Sequence, residues 1–184
     1  MAISLLHVHV AARITVREFL LVASAVVAFA VATALPAAAI TTATFTLTAG
    51  ALSITAPTGT VSLGSQVAAT SSTTITGSLG VVTVSDQRGG PTTWTASVIS
   101  TAFTPSGGTA DPASNVSYAA GVITASALVV ATAVAAPDLT GVSTVVTGTS
   151  TGISTASWDP TISVIVPANF APGVYVATIT HSVA

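Results

Sequence analysis

From Ile40 onward the chain contains no Glu, Lys or Met, and β-branched residues repeat with a period of two. That pattern limits the fold more than any other feature, because it suits a pleated, half-buried sheet and leaves little to build a helix from. Phe45 and Leu47 alternate with Thr44, Thr46 and Thr48. Val82 and Val84 alternate with Thr83 and Ser85, and Trp94, Ala96 and Val98 with Thr93, Thr95 and Ser97. The same alternation recurs over Ile162, Val164 and Val166, and over Tyr175, Ala177 and Ile179. Gly, Pro and Asp interrupt these runs at Pro57-Thr58-Gly59, Gly77, Gly89-Gly90-Pro91, Pro105, Pro112, Gly121, Pro137, Gly148, Asp159-Pro160, Pro167 and Pro172-Gly173. Breaks roughly 8–15 residues apart predict an all-β antiparallel sandwich of about nine to eleven short strands. The uncharged stretch Ala119 to Ala136 reads as two strands joined by a turn, with a membrane-spanning helix as the alternative.

The first forty residues differ in kind. Arg13 and Arg17 precede an apolar run from Phe19 to Leu35, followed by Pro36 and three alanines. A basic start, an apolar middle and a small-x-small site form the layout of a secretory signal peptide over residues 1–39, cut after Ala39. An uncleaved N-terminal anchor is the alternative, and the only route to a membrane under the two-strand reading. The expected location is outside the cell, and residues 40–184 form the expected single domain.

Composition then removes whole classes of function. Only 4% of the 184 residues are charged, none is Lys, and the basic side chains are Arg13, Arg17, Arg88 and three histidines. Such a surface cannot neutralise phosphates, which excludes nucleic acid as a partner. With no cysteine there is no disulfide, thiolate metal site or cysteine nucleophile. His181 is the one histidine after the leader, and no G-x-S-x-G elbow or D-x-D-x-D loop accompanies it. Asp111, Asp138 and Asp159 stand beside Pro, where aspartate commonly serves turns. No enzyme, cofactor or metal site is therefore expected. Asn115-Val116-Ser117 matches a glycosylation sequon, a pattern frequent by chance.

Asp86-Gln87-Arg88-Gly89 carries the only arginine past the leader, two positions from a carboxylate on an extended segment. Residues two apart on a strand share a face, so the two form either a strand-end ion pair or a polar recognition patch beside Trp94. His181 continues the Tyr175, Ala177, Ile179 register, on the apolar face of the last strand.

The segments Val82 to Gly89, Thr93 to Val98 with Phe103, Ala156-Ser157-Trp158, Ile162 to Pro167 and Gly173 to Val183, in that order, resemble the WxL domain of Gram-positive cell-surface proteins. The similarity covers roughly residues 43–184. Two signatures depart from the family pattern: Trp94-Thr95-Ala96 has Ala in place of Leu, and His181-Ser182-Val183 replaces both Trp and Leu. The resemblance implies a secreted β domain that associates non-covalently with peptidoglycan. Its implied contact residues are Asp86, Arg88, Trp94, Trp158, Tyr175 and His181, the aromatics suiting either sugar stacking or a core. A second reading is a structural surface subunit that assembles by strand pairing with itself or a partner, since low charge leaves little repulsion between strand edges.

Overall fold

The structure is a computed structural model, described here over residues 40–184; the leader reading falls outside the described residues. The chain divides into two compact units, Met1–Thr46 and Leu47–Ala184. Of the first, the described residues belong to no strand and are exposed. The second is all-β and antiparallel, as the alternation predicts. Its strands are β1 (Leu52–Thr55), β2 (Thr73–Ser78), β3 (Val82–Asp86), β4 (Thr92–Ser100), β5 (Thr104–Pro105), β6 (Val116–Ala119) and β7 (Ile123–Ala125). There follow β8 (Val129–Ala133), β9 (Ser143–Ser150), β10 (Ser154–Trp158), β11 (Thr161–Val166), β12 (Tyr175–Val176) and β13 (Ile179–Val183). Two of these, β5 and β12, are two-residue ladders paired with each other, so eleven longer strands carry the fold.

Two layers face each other. In the first, β2 runs into β3 through Gly80, and β10 runs into β11 through Asp159-Pro160. The two form one bent antiparallel ribbon, because Leu79 N–H donates to the Pro160 carbonyl (3.0 Å) and carries the ladder across the bend. Proline fits there because its missing N–H leaves no ladder bond broken. β1 flanks β3, while β6 and β7 flank β11 and β10. The second layer has the order β13-β4-β9-β8. Val82, Val84, Trp94, Val98, Trp158 and Ile162 are buried between the layers, each at an inward position of its strand. A bulge opposite Ala96/Ser97 lets adjacent Val145 and Val146 both turn inward.

The segment 119–136 contains the end of β6, all of β7 and β8, and a turn at Gly121 (φ 72°), as the two-strand reading predicts. Three expectations need correction. Phe45 and Leu47 form no strand and are 92% and 90% exposed. The last strand, read over the Tyr175, Ala177, Ile179 and His181 register, is split into β12 and β13, mirroring the gap between their partners β5 and β4, and Val174 and Val176 beside it are exposed. Gly77 and Gly148, read as breaks, lie inside β2 and β9.

The physical reason is close approach. Gly148 pairs with Trp94, and a Cβ there would collide with the indole ring. A Cβ on Gly77 would lie 3.0 Å from Leu63 Cα. A glycine inside a strand often marks such a contact rather than a turn. Gly148→Ala should destabilise the protein by about 1–3 kcal/mol, the usual cost of overpacking. Gly141→Ala, which meets no neighbouring atom, should stay within about 0.5 kcal/mol. Denaturant titrations of the two variants make the comparison.

Candidate functional site

Four of the six residues singled out from sequence serve the fold. Trp94 and Trp158 are 3% and 2% exposed, so they form the core and offer no surface to a glycan. Asp86 continues the inward register of Val82 and Val84, which puts its carboxylate inside the domain at 1% exposure. It is held there by four donors. Arg88 gives its backbone N–H (3.1 Å) and Nε (2.9 Å) to Oδ1, and Nη2 (3.0 Å) to Oδ2. Thr92 Oγ1 donates to Oδ2 at 2.7 Å. Arg88 Nη2 also donates to the Thr93 carbonyl (2.9 Å), joining the end of β3 to the start of β4. The pair is a clamp between strand ends, in place of a recognition patch beside Trp94.

The Arg88 bonds hold the Asp86 carboxyl well below the usual carboxylate range, against the opposing effect of burial. A carboxylate depressed in the folded state stabilises fully above its unfolded value, near 3.9, and loses that contribution as pH falls further. Asp86→Asn should therefore cost about 1–3 kcal/mol at neutral pH. The gap to the parent protein should stay level from pH 8 to 5 and narrow below pH 4, as thermal melts would show.

The other two residues, Tyr175 and His181, line a groove of about 1030 Å³ in the second unit. Its apolar lining includes Ile54, Ile75, Leu63, Phe103, Val164 and Ile179. Period two explains the contribution of the strands: Ile54, Ile75 and Ile179 are inward positions of β1, β2 and β13. Two loops, 57–69 and 167–173, form the lip. They are tied by the Asn169 N–H donating to the Ala69 carbonyl (2.9 Å), with Asn169 in the left-handed region (φ 59°) that asparagine tolerates. Phe170 stacks on Tyr175 at the rim with centroids 5.9 Å apart, and Tyr175 Oη donates to the Ala171 carbonyl (2.9 Å).

A half-buried histidine and a buried carboxyl, His181 and Asp111, face this space. His181 contacts Tyr118 edge to face (5.7 Å) and closes a chain of hydrogen bonds. Trp158 Nε1 donates to Tyr118 Oη (2.8 Å), which leaves the Tyr118 proton for His181 Nε2 (3.3 Å). That order assigns His181 the Nδ1–H tautomer. Burial pushes Tyr118 up to about 12 and lowers His181, so both stay neutral at pH 7. Asp111 is pushed upward by burial, partly offset by Asn115 Nδ2, which donates to Oδ1 at 2.6 Å. That bond occupies the side chain of the sequon asparagine. The sequence assigns Asp111 to a turn beside Pro112; the structure instead places it in an antiparallel bridge with Phe103, through two backbone bonds, with its side chain buried. Among the described residues no group of three His, Cys, Asp or Glu side chains is placed to hold a metal.

A histidine depressed by burial stabilises the fold above its ordinary value of 6.5 and withdraws that contribution as pH falls. The parent protein should lose stability relative to His181→Gln between pH 7 and pH 5. Thermal midpoints of both proteins at pH 5, 6 and 7 check this, and the difference cancels the opposing contribution of Asp111.

What surrounds the groove defines what it can take. Among the described residues, β13 pairs only with β4, β2 only with β11, and β1 only with β3. The strands beside the groove thus present edges that no other described strand pairs with, and apolar side chains line the space between them. No family model, curated protein or solved structure was found to match this chain, so the site is known through its own residues alone.

Proposed function

We propose that this protein is a non-enzymatic structural subunit of the bacterial cell surface that assembles by strand pairing. The observation that carries this reading is the groove between the open edges of β1, β2 and β13. Backbone N–H and C=O groups on such edges bind an added strand without special side chains, and the apolar lining selects alternate residues of it. The near absence of charge means that copies do not repel one another, and the leader supports export. Light scattering of the purified protein across a hundredfold concentration range should show mass rising with concentration. A monodisperse monomer at the highest concentration would sink the proposal.

Wall association of the WxL type is the second reading. It is favoured by one observation: Tyr175 and His181, both in its implied contact set, line the groove, with Phe170 stacked beside Tyr175. In that case a glycan strand occupies the groove, and the tryptophans serve the core. Complete recovery of the protein in the supernatant over purified sacculi, at low and high salt, would remove this alternative.

A further inference from the structure

We infer that the groove is filled by residues 40–48 of a second copy of this chain, with Phe45 and Leu47 as the inserted side chains, so that copies join head to tail. The inference rests on the strand-pairing reading and names its occupant.

Three observations lead there. Residues 44–48 have strand alternation, with Thr44, Thr46 and Thr48 around Phe45 and Leu47, yet they belong to no strand. Both large side chains are about nine-tenths exposed. An apolar face of this kind is the unpaired half of a sheet contact. The groove supplies the other half, with apolar side chains between strand edges that pair with no other described residue.

The direction of the chain decides whose groove is filled. Gly50 N–H donates to the Gln87 carbonyl (2.8 Å), and Gln87 N–H to the Ala51 carbonyl (3.0 Å). The ladder of β1 against β3 thus continues back through Gly50, which keeps the chain heading away from β1 at its Asp86 end. The groove lies at the opposite end of β1, beside Ile54 and Ala56. Leu47 and Thr48 therefore leave β1 at the end remote from the groove, which favours a neighbour's groove as the acceptor. Donor and acceptor surfaces differ, so the contact is heterologous and repeats into an open chain of subunits unless a rotation closes it. None of the side chains of residues 40–48 is charged, and alternation sets the threonines on the face opposite Phe45 and Leu47.

The test uses protein expressed from the full-length chain and recovered after export. Phe45→Asp/Leu47→Asp should reduce the assembly to monomers. Its unfolding midpoint should match that of the parent monomer, since both positions are exposed. The absence of cysteine makes engineered thiols unambiguous. Thr46→Cys mixed with Thr180→Cys, an exposed position on β13, should give an intermolecular disulfide on oxidation. Thr46→Cys mixed with Val130→Cys, exposed on β8 at the other edge of that layer, should give none. Assembly that persists in the Asp variant overturns this assignment and leaves strand pairing by another segment. Loss of assembly in that variant without a Thr180 cross-link overturns the groove as the acceptor. A parent protein that is monomeric throughout overturns both this inference and the reading beneath it.

Discussion

Trp158, Tyr118 and His181 link the two layers through one chain of hydrogen bonds. The indole N–H of Trp158 comes from β10, the phenol from β6 and the imidazole from β13, so one chain of hydrogen bonds ties the two layers. Each bond nets only about 1 kcal/mol, but leaving any of these buried groups unpartnered costs about 1–3 kcal/mol. The layers are thereby held at a spacing that lets all three bond while the surrounding valines and isoleucines fill the core. His181 also lines the groove, so the element that closes the core is one wall of the candidate site.

A chain with so little charge has to solve burial in neutral terms. Among the described residues, no buried side-chain nitrogen or oxygen is left without a partner. Ser150 and Ser154 bond each other (2.9 Å), and Asn115 serves Asp111. Asp86 is buried as a carboxylate, with four donors around it. A buried carboxylate is tolerable only under such full satisfaction, because desolvation otherwise exceeds the Coulombic gain. The same economy of charge leaves the outer strand edges without charged side chains, which is what the strand-pairing proposal builds on.

Alternation was the reliable signal, and it failed in instructive places. It located β3, β4 and β11 and their inward residues, because a period of two means one thing when both layers need cover. It mistook Phe45 and Leu47 for a strand within the domain, since alternation records readiness to pair without recording a partner. It also took Gly77 and Gly148 for turns. In both cases the missing Cβ makes room for a side chain, Leu63 or Trp94, that is distant in sequence.

The sequence by itself determined the all-β antiparallel character and the lack of any thiol, because each depends on composition or near neighbours. It also contained the Asp86–Arg88 pair, two residues apart on one face. Only the tertiary structure decided that this pair is a clamp, that both tryptophans are core, and that Tyr175 and His181 share a groove with Asp111. Those facts depend on which strands lie opposite one another. The pairing of β13 with β4, with no other described strand on its second edge, is a property of the assembled layers that no local pattern encodes.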